Sequence, residues 1–279
     1  MIPTQNLNLL PRNKRLAQAA ALGLVLALGV GLSAAQAETP AEKGLAIAKE
    51  MDRRDLGFQD SRTTLTMTLT NRHGESSTRK LRTTTLEVSD TSVGDKSLTV
   101  FNHPRDIKGT AFLSFTKILD PDDQWLYLPA IKRVKRISSA NKSGPFVGSE
   151  FAYEDLVSFE VGKYTYKWLK NEACGDLKCF VVERTPKYEN SGYTKQIVWV
   201  DQAEYRVQKV DFYDRKESLL KTLVQSKYKQ YLGKYWRPLL MKIENLQTGK
   251  ATTLQFSEFE FRIGLKEGDF TSSKLKRIR

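Results

Sequence analysis

The strongest constraint on the fold is a period of two. Between Arg62 and Thr70, Leu65, Met67 and Leu69 alternate with Thr64, Thr66, Thr68 and Thr70. Side chains two apart share one face of a strand, so this segment presents an apolar face inward and threonine outward. Asn71-Arg72-His73-Gly74 then supplies a hairpin turn into a second run over 79–88. Further strand-like runs are expected at 97–102, 110–117, 124–128, 132–137, 180–184, 195–200, 206–213, 219–231, 236–246 and 252–262, with Tyr164, Tyr166 and Trp168 alternating in between. The parity slips near Ser257-Glu258, which predicts a bulge. One helix is expected, over 41–54, where Leu45, Ala48 and Met51 recur at helical spacing after Pro40 and before Gly57. Eleven to thirteen antiparallel strands and one helix define an α+β chain, read as a strongly curved sheet or partial barrel covered on its concave face by short helices.

Charge and the N-terminus narrow the setting. The 279 residues carry a formal charge of +13, which suits nucleic acid, an anionic membrane or an acidic partner. Arg12, Lys14 and Arg15 precede an uncharged run through Leu32, and Ala35-Gln36-Ala37 follows. That pattern predicts a secretory signal peptide over 1–37 and an exported domain over 38–279. Its apolar stretch is short for a membrane span. The leader takes three positive charges with it and leaves +10 on the domain, so nucleic acid is not an expected partner. Export also suits Cys174 and Cys179, which enclose Gly175-Asp176-Leu177-Lys178 and are expected to form a disulfide at a hairpin end.

Catalytic and metal chemistry find little support. Two histidines and two cysteines provide few ligands for a metal, and no cofactor or metal is expected. His103 has no nucleophile-elbow context, Asp120, Asp122 and Asp123 are interrupted by Pro121, and Glu150, Glu154 and Asp155 lack a second catalytic group beside them. The expectation is a protein that is not an enzyme.

The most distinctive segment is Asp123-Gln124-Trp125-Leu126-Tyr127-Leu128-Pro129, running into Lys132, Arg133, Lys135 and Arg136 and then the Gly148-Ser149-Glu150-Phe151-Ala152-Tyr153-Glu154-Asp155-Leu156 run. A strand over 132–137 carries cations on both faces, which describes either a charge-protected edge strand or a basic rim for lipid headgroups or an anionic partner. The loop from Ser138 to Gly148, rich in Gly, Ser and Asn, is expected to act as a lid.

These residues resemble the outer-membrane lipoprotein-sorting protein family, a LolA-like branch of periplasmic proteins. The resemblance extends from the first helix to Phe270-Thr271. It implies the half-barrel of LolA, LolB and RseB, a hydrophobic cavity for acyl chains, and work beside an RND-type inner-membrane exporter. The extended motif through Arg136 is that of the branch and not of LolA itself, so the implied cargo is a lipid or a lipidated protein. On that basis the expected cavity lining is Leu65, Met67, Leu69, Phe112, Trp125, Tyr127, Tyr166, Trp168, Trp199, Phe212, Met241 and Phe256. Arg133, Lys135 and Arg136 are the expected headgroup or partner contacts. A monomeric periplasmic carrier is the leading expectation. An RseB-like sensor or adaptor that binds a membrane-protein partner without lipid is the alternative, and a hydrolase stands behind both.

Overall fold

The computed structural model describes residues 37–88, 90 and 93–277. Residues 1–36 of the signal peptide expected over 1–37 lie outside the described residues. Among the described residues no helix is long and apolar enough to cross a membrane.

Helix α1 (Pro40–Asp55) begins where the sequence places its start signals. The Thr39 hydroxyl accepts from the Glu42 backbone N–H, and the Glu42 carboxylate accepts from the Thr39 N–H at 2.8 Å. These reciprocal bonds satisfy two donors that a helix start leaves open, and Pro40 gives up nothing at the first turn. Ile47 and Ala48 are buried toward the sheet. Gly44 lies so close to strand β7 (Tyr164–Cys174) that a Cβ there would sit 2.8 Å from the Trp168 backbone nitrogen. Any larger residue would push the helix off the sheet.

Six strands precede a long crossing segment: β1 (Asp60–Thr70), β2 (Ser76–Leu86), β3 (Val93–His103), β4 (Ala111–Lys117), β5 (Asp123–Leu128) and β6 (Arg133–Ile137). After it come β7, β8 (Leu177–Pro186), β9 (Lys195–Asp201), β10 (Val207–Tyr213), β11 (Leu219–Tyr231), β12 (Tyr235–Asn245), β13 (Lys250–Phe256) and β14 (Glu260–Phe261). They form one open, curved, antiparallel sheet in the order β6-β5-β4-β3-β2-β1-β13-β12-β11-β10-β9-β8-β7, with β14 also pairing β1. Two meanders are thus joined by the β1–β13 pairing. The expected slip at Ser257-Glu258 is a break between β13 and β14, after which the chain returns to the start of β1 at Arg62↔Glu260.

Because β6 and β7 lie at the two ends of the sheet, residues 138–163 must travel between its margins. They do so across the concave face, as a strap of short 3-10 turns. The expected cover of short helices is therefore one α-helix together with the short 3-10 turns of this strap. Phe146 is 1% exposed and packs against Phe101 and Phe112. This fixes the segment whose loop composition suggests a lid: an aromatic near its end is buried, and burying such a side chain contributes about 2–3 kcal/mol.

Both faces of the sheet carry apolar packing near β4 and β5. The concave core includes Leu65, Met67, Leu81, Phe101, Phe112, Leu126, Val198, Val210, Leu223, Ile243 and Leu254. A second cluster on the opposite face joins Val100, Ala111, Leu113 and Tyr127 to Phe270 and Leu275 of the C-terminal segment.

Candidate functional site

Helix α1, the strap and the concave face of β1–β3 and β8–β13 border a cavity of about 820 Å³, within the size range of small-molecule sites. Its apolar wall combines Met51 of α1, Phe151 and Phe159 of the strap, and Phe212, Leu223, Met241 and Phe256 of the sheet. These residues converge because cross-strand pairing puts same-parity side chains in register: Phe212 lies opposite Lys221, and Gln225 opposite Met241.

Polar groups line the rest. Asp52, Asp95 and Glu160 stand on the α1 and β3 side. Burial raises all three carboxyls above their ordinary range, Asp95 to about 7, with the Glu160 charge adding to the rise at Asp95. Asp55 is bridged to Arg237, and Glu204 accepts from Arg54 at 3.4 Å and from the Trp236 indole at 3.1 Å. On β8, Arg184 projects into the cavity; its Nε donates to the Gln196 carbonyl oxygen at 2.6 Å, and its guanidinium lies 4.8 Å from the Tyr164 ring centre. Among the described residues there is no group of three or more side chains arranged to hold a metal ion.

The residues expected to line a cavity fall into three sets. Phe212, Met241 and Phe256 line it. Leu65, Met67, Leu69, Phe112, Tyr166 and Trp168 share its face of the sheet but pack into the core, Met67 at 2% exposed, and Trp168 carries Lys43 over its ring at 3.7 Å. Trp125, Tyr127 and Trp199 face the other way, which corrects the expectation for these three. Trp125 and Tyr127 pack in the cluster under the C-terminal segment, and the Trp199 indole donates to Glu172 beneath the Lys209 ammonium. Strand parity is the physical reason: Leu126, Val198 and Val200 take the inward positions that their neighbours were assigned.

A crystal structure from Vibrio parahaemolyticus, of a domain provisionally named for outer membrane lipoprotein sorting, superposes with a TM-score of 0.83 at 57% identity, covering 85% of this chain and 100% of the other. The chain belongs to this outer-membrane lipoprotein-sorting protein family. A DUF1329 family protein from Desulfovibrio piger superposes at 0.80 with 31% identity over 85% of this chain and 99% of that one. A family model described only as an uncharacterized protein matches residues 93–277. The fold extends to a LolA superfamily protein from Nitrosomonas europaea, with a TM-score of 0.67 and 22% identity over 82% and 98% of the two chains. No curated protein matches the chain.

The segment Gly148 to Leu156 that carried the family resemblance is the part of the strap that bolts it to the sheet. Glu154 accepts from the Tyr188 hydroxyl, the Ser191 hydroxyl and the Gly192 N–H, at 3.1, 2.8 and 2.8 Å. Asp155 accepts from the Tyr193 hydroxyl and from Lys221 Nζ, which lies 2.7 Å away and also reaches the Glu150 carbonyl. Glu150 in turn accepts from Asn245 on β12, and its N–H donates to Thr252 on β13. A second buried pair, Lys163–Asp122 at 2.6 Å, holds the end of the strap. The three carboxylates of this run, like Asp122, are therefore occupied as structural acceptors. Burial raises the Glu154 carboxyl, with the Asp155 charge adding, against the three donors that lower it.

The basic strand β6 is an edge of the sheet. Arg136 is bridged to Asp123, while Arg133 and Lys135 are exposed. Next to them the C-terminal turn Leu275–Arg277 packs against Val134, bringing Lys276 and Arg277 toward the same edge. Cys174 and Cys179 are bonded across the β7–β8 turn. Sequence reasoning missed Arg184 and Gln196, because a single polar residue on each of two alternating strands reads as an ordinary surface residue, and only the β8–β9 register brings them together.

Proposed function

We propose that this protein is a periplasmic carrier or chaperone that shields a lipid, or the acyl chains of a lipidated protein, in its concave cavity. The observation that supports this reading is the cavity itself: about 820 Å³ between α1, strap and sheet, with Met51, Phe151, Phe159, Phe212, Met241 and Phe256 on its wall. Each acyl methylene transferred from water to such a wall gains about 0.8 kcal/mol, so chain length alone supplies affinity. The family, whose Vibrio parahaemolyticus member carries lipoprotein sorting in its name, supports the same reading. An RND-type inner-membrane exporter is the proposed partner, as donor or acceptor of the cargo. Shielding requires no bond to be made or broken, so no catalytic role is assigned. The exposed Arg133 and Lys135, with Arg136, are the proposed contacts for headgroups or for the partner.

The test is purification without detergent, followed by mass spectrometry of extracted lipid. Recovery of a defined lipid, or of a lipidated protein, supports the carrier. A lipid-free protein that binds only a membrane-protein partner overturns it in favour of a sensor or adaptor.

A further inference from the structure

Arg184 differs from the other cations on the cavity wall. Arg54 is paired with Glu50 and Glu204, Arg206 with Asp201, and Arg237 with Asp55. Lys234 donates to the Leu56 carbonyl. Arg184 has one hydrogen bond, from Nε to Gln196 Oε1, and among the described residues it has no carboxylate partner. Because a guanidinium only donates, that bond fixes the Gln196 amide with Nε2 as its free end. No buried side-chain nitrogen or oxygen in the described structure lacks a partner, so both Nη groups of Arg184 and Nε2 of Gln196 open onto the cavity that their residues line. Gln196 itself is 2% exposed.

This pair is held in place. Arg184 and Gln196 are opposite each other on β8 and β9, and Phe212 on β10 is next in the same row. The guanidinium is flanked by Tyr164 at 4.8 Å and Phe159 at 5.5 Å, which orient its plane without neutralising it. A half-buried charge without a counter-ion is costly to keep unless something supplies the anion. The adjoining Phe212 begins the apolar wall that a tail would follow.

We propose that Arg184 and Gln196 form a donor site for the oxyanion head, carboxylate or phosphate, of an amphiphile whose tail lies along Phe212, Met241 and Phe256. This assignment rests on the carrier reading and adds the headgroup class. A guanidinium edge and an amide N–H present parallel donors that match two oxygens of one oxyanion. A neutral head of the same size leaves them unpaired.

The experiment is displacement of a neutral fluorescent probe, Nile red, from the purified protein by hexadecanoate, hexadecyl phosphate and hexadecanol, with acetate and inorganic phosphate as headgroups without tails. The expected result is that both anionic amphiphiles bind at least about tenfold more tightly than hexadecanol, whichever oxyanion is preferred, and that the tailless anions do not displace the probe. Arg184→Gln is expected to bring the anionic ligands to within about twofold of hexadecanol; Arg184→Lys is expected to recover part of the preference. Equal binding of charged and neutral ligands by the unmodified protein overturns the proposal and leaves the carrier reading standing, and it does so even where the variants fail to fold. Displacement by none of the amphiphiles overturns both.

Discussion

Met67 and Met241 point to the same side of the sheet and both pair with Leu254, one across β1–β13 and the other across β12–β13, yet Met67 is sealed in the core and Met241 lines the cavity. Two residues on either side of one strand thus have different tasks. Met67→Ala is expected to lower stability by about 2–4 kcal/mol, because the surrounding core cannot fully collapse onto the space left. Met241→Ala is expected to cost about 1 kcal/mol or less, its side chain already bordering open volume. Urea unfolding of the two variants checks the difference.

The strap depends on the Lys221–Asp155 pair, both members of which are buried. Lys221→Met leaves the Asp155 carboxylate inside with only the Ala152 N–H and Tyr193 hydroxyl as donors. A loss of about 3–5 kcal/mol is expected, much larger than for an exposed pair. Replacing both partners together, Lys221→Met with Asp155→Leu, is expected to cost less than Lys221→Met alone. A double-mutant cycle by chemical unfolding measures this.

Stability is expected to fall as pH rises from about 4 to about 7. Burial pushes the Asp95 carboxyl up to about 7 from its ordinary 3.8, so in that window the folded protein keeps a proton that the unfolded chain has released. The contribution is fully present below about pH 4 and gone above about pH 7, and amounts to at most about 4 kcal/mol. Glu160, Glu154 and Asp52 are shifted in the same direction and steepen the trend. Asp95→Asn is expected to flatten it, as measured by thermal unfolding at pH 5 and pH 8.

The Cys174–Cys179 bond closes a short loop at the β7–β8 turn. Loop-closure entropy for so few residues is about 2 kcal/mol. Replacing both cysteines with serine is expected to lower stability by no more than that and to leave ligand binding intact, which calorimetry and probe displacement check together.

Much of the sheet was legible because the alternation is local. The run over 219–231 coincides with β11, and the slip at Ser257-Glu258 marks the break before β14. Orientation failed where both faces are covered. At Gln124-Trp125-Leu126-Tyr127 the parity was clear but its direction was not, since Phe270 and Leu275, about 145 residues away, bury the face that would otherwise meet water. The strap was opaque for a different reason: its path follows from β6 and β7 ending up at opposite ends of the sheet, a long-range consequence that no local pattern encodes. Nothing in the local pattern marks Arg184, and only the register with Gln196 and Phe212 places it on the cavity wall.

The central claim is that an amphiphile occupies the space bordered by Met241, and the most direct measurement is the molar ratio of extracted lipid to protein in detergent-free preparations of the unmodified protein and of Met241→Glu. A charge on the apolar wall is expected to abolish loading while the variant retains its far-ultraviolet circular dichroism and a cooperative melt. A defined lipid in the unmodified protein, lost in folded Met241→Glu, is the predicted result. Lipid-free unmodified protein, or equal lipid in both, would contradict the account.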